Sequence, residues 1–150
     1  MRGASLFLGY LKRPELYEVD EDGWFPTGDL ARMDAQGYIR ITGRSKDVVI
    51  RGGENIPVVE IENLLYKHPK IQALAVVGKP DPRLGERACA YVTLKDGVES
   101  LTLEEITQFL IEQKVTRQFL PEFLEVVDEL PRTPSGKIQK YKLREQASQS

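Results

Sequence analysis

Only one cysteine, Cys89, one histidine, His68, and one tryptophan, Trp24, occur in this 150-residue sequence. A single cysteine excludes an internal disulfide and a cysteine-built zinc site, and it suits a reducing compartment such as the cytoplasm. Ala88 and Ala90 beside it, followed by Tyr91-Val92, read as a buried strand that carries the thiol inward. His68 lies next to Pro69 and has no second histidine or cysteine nearby. It therefore reads as a helix-end cap or surface residue, and no metal site is expected. Long apolar runs are missing too. The stretch from Leu6 to Leu11 is short and broken by Gly9, which excludes a membrane span or a signal-peptide core there. Nor does one sign of charge dominate. With 21 basic residues against 23 acidic ones, the chain has neither the field that nucleic acid requires nor a polybasic membrane tract.

What is present is ordinary for a water-soluble globule: 41% apolar and 29% charged residues. The length suits one domain, or a small domain with part of a neighbour. Early in the chain, Asp22-Gly23, Thr27-Gly28-Asp29 and Gln36-Gly37 separate short alternating stretches such as Tyr38-Ile39-Arg40-Ile41, a pattern of β-hairpins. Gly43 to Asp47 is charged and leads into a buried-looking strand, Val48-Val49-Ile50, and a tight Gly52-Gly53 loop. Beyond these, Val58, Ile61, Leu64 and Leu65 recur at helical spacing, with Pro57 suited to the first turn and His68-Pro69 to the end. Ile71 to Val77 and Ala88 to Leu94 read as strands that can pair antiparallel, with turn-rich Lys79 to Gly85 between them. Thr102 and Glu105 have capping-box spacing ahead of Ile106, Phe109 and Leu110. Phe123 to Val127 reads as a further strand, and Lys140 to Arg144 as a short helix.

These elements predict an α+β domain over residues 46–150, with a mostly antiparallel three-stranded sheet packed by helices. Residues 1–45 hold too few long apolar segments to fold alone. They read as the β-hairpin-rich tail of a larger preceding domain.

Three segments carry the chemistry: Gly23-Trp24-Phe25-Pro26-Thr27-Gly28-Asp29; Gly43-Arg44-Ser45-Lys46-Asp47 running to Gly52-Gly53-Glu54-Asn55-Ile56; and Pro131-Arg132-Thr133-Pro134-Ser135-Gly136-Lys137-Ile138. Any one of them alone has an ordinary explanation, since threonine, glycine and aspartate are common turn formers and a loop lysine is usually solvated. Gly136-Lys137 is no Walker loop, because Pro131 and Ile138 stand where glycine and serine or threonine are required. In this order and spacing, the segments resemble the threonine-glycine-aspartate, hinge and carboxy-terminal lysine motifs of adenylate-forming ligases. Gly9-Tyr10-Leu11 through Arg13-Pro14-Glu15 fits the same pattern, so the resemblance covers essentially the whole chain.

The resemblance implies an acyl-CoA synthetase: a carboxylate and ATP, with Mg²⁺, give an acyl-adenylate and pyrophosphate, and CoA then takes the acyl group. Residues 46–150 would be the mobile lid, and 1–45 the end of the large AMP-binding domain. Asp29 would hold the ribose with Thr27 and Arg44 near the nucleotide, Lys46 would be the hinge, and Gly52 and Gly53 would line the CoA tunnel. Lys137 would be the catalytic lysine, a compact cation placed where charge builds during adenylation. The phosphate-binding segment, the adenine pocket and most of the acyl pocket would belong to the missing N-terminal domain, so the chain alone is expected to be inactive. Glu54-Asn55-Ile56 after paired glycines looks more like an acyl-CoA synthetase than a peptide-synthetase adenylation domain, and with 13 residues after Lys137 no fused carrier domain is expected. The other reading is a stand-alone nucleotide- or partner-binding module without catalysis.

Overall fold

The computed structural model describes residues 1–149. The chain divides into two compact units, Met1–Ser45 and the segment from Lys46 onward.

In the first unit, β1 (Asp29–Met33) and β2 (Ile39–Arg44) form an antiparallel ribbon. Its turn is set by Asp34, whose Oδ1 accepts hydrogen bonds from the backbone N–H groups of Gln36 at 3.0 Å and Tyr38 at 2.9 Å. Asp20 repeats the device one turn earlier, accepting from Asp22 at 3.1 Å and Trp24 at 2.7 Å. An aspartate three residues before glycine thus closes both turns, as expected of a short acceptor bonding its own backbone. Phe7 packs edge-on against Tyr10, Tyr17 and Phe25. The cross-strand register puts Met33 opposite Ile39 and Ala31 opposite Ile41. Met33, Ile39 and Ile41 are nonetheless exposed, at 68%, 68% and 59%.

The second unit is a five-stranded sheet between helices. It contains β3 (Val49–Arg51), β4 (Glu54–Ile56), α1 (Val58–Leu65), β5 (Ile71–Asp81), β6 (Gly85–Leu94), α2 (Leu103–Glu112), β7 (Phe123–Val126) and α3 (Lys140–Gln149). Strand order is β4-β3-β6-β5, and β7 also pairs with β6. Alternate residues of β5 and β6 point to opposite faces. Leu74, Val76, Ala90 and Val92 meet Ile61, Leu65, Ile106 and Leu110 of α1 and α2. On the other face Ala75, Val77, Cys89 and Tyr91 meet Leu143 and Ala147 of α3, together with Leu130. Both faces are covered, so these strands read as nearly continuous apolar runs. Burial pushes the Cys89 thiol up to about 11 and the Tyr91 hydroxyl to about 12.

The α+β class stands, and the sheet is larger than three strands because β3 and β4 add a short hairpin. β7 runs parallel to β6, since the chain reaches it through the α2 crossover rather than through a tight turn. β5 continues through Pro80 to Asp81, confining the β5–β6 turn to 82–84. His68 is not on the surface. It is 6% exposed, its ring lies edge-on to Phe109 at 4.9 Å, and its Nδ1 accepts from the Lys70 N–H at 3.3 Å. Burial lowers its pKa below the usual imidazole range. Among the described residues, no helix is long and apolar enough to cross a membrane.

The capping box is complete. Thr102 Oγ1 accepts from the Glu105 N–H at 3.2 Å, and Glu105 Oε2 accepts from the Thr102 N–H at 2.8 Å. Glu105 also takes a hydrogen bond from Lys70, which does most to hold its carboxyl down to about 2. A carboxyl that is more acidic folded than unfolded adds stability above its ordinary pKa, and that stability is lost as pH falls toward the folded value. Glu105→Gln is therefore expected to destabilise the chain at pH 7, with the gap from wild type closing between about pH 4.5 and pH 2. Urea midpoints across that range check this, and a pH-independent gap contradicts it.

Candidate functional site

Asp29 begins β1 and Arg44 ends β2, and the register pairs them directly. Arg44 Nε lies 3.0 Å from Asp29 Oδ1. The two candidate ribose residues are therefore each other's ion-pair partners, and such an exposed pair adds about 0.2–1 kcal/mol to stability. Thr27 Oγ1 accepts from the Asp29 N–H at 3.2 Å. Between them Gly28 takes φ +75°, a conformation that disfavours a side chain. Its carbonyl accepts from Ser45 twice, from N–H at 2.8 Å and from Oγ at 3.1 Å. Thr27, Asp29 and Arg44 thus form one cluster at the open end of the ribbon.

In the second unit, Lys46 stands exposed in a 3-10 turn, Ser45–Asp47. Gly52 and Gly53 form the two-residue turn from β3 to β4, with φ +60° and +86°. Positive φ at both central positions is what a type I′ hairpin requires, so the turn itself accounts for both glycines. The Gly52 N–H donates to Leu84 O at 2.8 Å, linking this turn to the one between β5 and β6. Arg51, the last residue of β3, grips Glu122 through two hydrogen bonds, at 2.8 and 3.1 Å.

Lys137 follows a three-residue hairpin loop, Pro134-Ser135-Gly136. Arg132 and Ile138 form a β-bridge, the Thr133 N–H donates to Lys137 O at 2.8 Å, and the Gly136 N–H donates to Thr133 O at 2.8 Å. Proline suits the second position of that turn, and Gly136, at φ +84°, takes the left-handed position that ends such loops. Thr133 Oγ1 accepts from the Lys137 N–H at 3.1 Å, and Arg132 donates to Gly136 O at 2.8 Å. At the loop's base, Lys140 Nζ lies 2.8 Å from Glu62 Oε1 of α1, with both side chains mostly buried. The Lys137 side chain is left exposed at the end of a hairpin closed by these hydrogen bonds.

Sequence reasoning missed the residues that hold these loops: Arg51, Glu122, Lys140, Glu62 and Arg144. Their pairings span up to 98 positions and leave no periodic trace. The basic run from Lys140 to Arg144 was the one available hint. Among the described residues, no cluster of three or more histidine, cysteine, aspartate or glutamate residues is placed to hold a metal ion.

A two-sided α+β unit that presents a lysine from a braced hairpin defines the class, and comparison with known proteins gives the family. The AMP-binding enzyme C-terminal domain matches residues 60–137. The chain is 52% identical over 145 residues to a medium-chain fatty-acid–CoA ligase of Escherichia coli, covering 95% of this chain and 26% of that protein. It is 49% identical over 148 residues to a mitochondrial medium-chain acyl-CoA ligase of Homo sapiens, covering 97% and 24%. Among solved structures, ATP-bound MatB from Rhodopseudomonas palustris matches with a TM-score of 0.85 at 36% identity, over 97% of this chain and 29% of that one. The o-succinylbenzoate CoA synthetase of Bacillus subtilis, in complex with its acyl-adenylate intermediate, matches at 0.84 with 30% identity, over 95% and 29%. The chain belongs to the family of AMP-binding enzyme C-terminal domains, and it spans about a quarter of the length of its curated relatives.

Because φ at Gly136 is +84°, Gly136→Ala is expected to cost about 1 kcal/mol and to speed exchange of the amides at positions 136 and 137. Ser135→Ala is expected to change stability by less than about 0.5 kcal/mol. Denaturant midpoints and amide exchange check both, and a Gly136→Ala chain as stable as wild type contradicts the loop geometry.

Proposed function

We propose that this chain is the carboxy-terminal part of an ATP-dependent acyl-CoA synthetase. The observation that carries the reading is Lys137, exposed at the end of a hydrogen-bonded hairpin on a domain of the AMP-binding family. In the first half-reaction a carboxylate oxygen attacks the α-phosphorus of ATP, which enters with Mg²⁺, and pyrophosphate leaves. In the second, the CoA thiolate attacks the acyl carbon and AMP leaves with the bonding electron pair.

Lys137 supplies positive charge to the oxygens on which negative charge gathers during adenylation, and a backbone fixed in advance lowers the cost of placing it. Asp29, with Arg44 and Thr27 beside it, receives the ribose hydroxyls: a carboxylate offers acceptor oxygens, and the guanidinium fixes its orientation. Lys46 is the hinge about which the lid turns between the two half-reactions. Gly52 and Gly53 border the path of the CoA arm, where the lack of side chains leaves the backbone open to it.

Residues 1–45 form the tail of the large N-terminal domain in this reading, and 46–150 form the lid. The exposed Met33, Ile39 and Ile41 support it, because an apolar hairpin face of this kind calls for a covering layer. The missing N-terminal domain is then the chain's principal partner, and this chain by itself makes no acyl-adenylate. A cytoplasmic setting, with the carboxylic acid, ATP and CoA as substrates, completes the proposal. The relatives are named for medium-chain acids, so these are the first to try.

In the chain fused to its upstream domain, Lys137→Ala is expected to slow pyrophosphate release about 100- to 1000-fold, while CoA-ester formation from preformed acyl-adenylate stays within about threefold. The two half-reactions, assayed separately, decide. Equal loss in both removes Lys137 from its role.

A further inference from the structure

We infer that Arg144 is a positioning residue that sets the lid-side limit of the hinge, leaving φ and ψ of Ser45 and Lys46 to carry the reorientation. The inference rests on the ligase reading above. One nitrogen of Arg144, Nη1, donates to Lys46 O at 3.0 Å and to Asp47 Oδ1 at 2.8 Å. Arg144 sits in α3, which is held to the sheet by Leu143 at 1% and Ala147 at 2% exposure. The peptide plane between Lys46 and Asp47 is thereby fixed to the body of the lid. Two residues on, Val49 is 1% exposed in the core and begins β3, so the chain beyond Lys46 moves with the sheet.

The other limit is equally defined. Ser45 N–H and Oγ both donate to Gly28 O, which ties the plane between Arg44 and Ser45 to the β1–β2 ribbon. Each residue has two soft backbone torsions. Between the two fixed planes lie only those of Ser45 and Lys46. A hinge confined to so few torsions has a narrow set of accessible orientations, whereas one that frays into Asp47 and Val48 has many. The cost of a frayed hinge falls on the passage between the two working orientations, a step of the kind that limits turnover in many enzymes, and not on chemistry within either orientation.

The test uses Arg144→Ala and Asp47→Asn in the chain itself and in the chain fused to its upstream domain. Amide exchange on the chain is expected to rise about tenfold or more at Asp47 and Val48 while Ser45, bonded to Gly28, stays unchanged. In the fusion, each half-reaction measured as a single turnover is expected to hold within about twofold, while steady-state turnover falls about five- to tenfold. Arg144→Lys, which keeps a donor, is expected to restore part of the turnover. Unchanged exchange overturns the inference. So does faster exchange with half-reactions and steady-state turnover lowered in parallel, the mark of a merely structural contact. If Arg144→Ala does not fold, the milder Asp47→Asn decides on the same readouts. An exchange response in the chain together with a wild-type fusion inert toward every acid overturns the ligase reading, and the inference with it, whereas an active wild type with unresponsive variants overturns the inference alone.

Discussion

The antiparallel pairing of β5 with β6, covered by helices on both faces, is the constraint on which the lid depends. Burying a Val or Leu side chain yields about 1.5–3 kcal/mol, and the central residues of both strands are fully inside. The loops that carry the candidate residues hang from this pair. The β5–β6 turn accepts the Gly52 N–H through Leu84. β7 lies along β6, and Glu122 just before it grips Arg51. The Lys137 hairpin is tied at its base to α1, and α3 beyond it packs on the sheet's other face. The exposed candidate groups therefore stand on a scaffold that has little freedom of its own.

This division of labour suits a domain that works by changing orientation. A lid that carries one set of groups into each of two sites must move as a body, with torsional freedom gathered into a short connection. The second unit supplies the body. At the connection, Gly28 holds Ser45 on one side and Arg144 holds Lys46 and Asp47 on the other. The same economy governs the first unit, where Asp29 and Arg44 meet because a register places them opposite one another.

Local patterns were legible in the sequence wherever the cause was itself local. The capping box at Thr102, the 3.6-residue spacing of α1, the turns at Asp22-Gly23 and Gln36-Gly37 and the buried strand around Cys89 all depend on neighbours within a few positions. The motif order that resembles adenylate-forming ligases led to the family, and it named Lys137, Asp29 and Arg44. What remained hidden was non-local. That β7 runs parallel to β6, that His68 lies under Phe109, and that Arg144 returns to Lys46 across 98 positions are products of packing. Hydrophobic period and turn chemistry carry no record of such pairings. The short strand β4 was lost for another reason, since three residues are too few to show alternation, whereas β3 was expected over Val48-Val49-Ile50, one residue early.

The central claim is that this chain completes an acyl-CoA synthetase and does nothing catalytic without the rest of it. The direct measurement is mass-spectrometric detection of CoA esters from ATP, CoA and a panel of carboxylic acids, medium-chain acids included, using the chain alone, the upstream domain alone, and the two joined. The account predicts CoA ester only from the joined protein. Ester or adenylate made by the chain alone, or none from a folded joined protein with any acid, would contradict it.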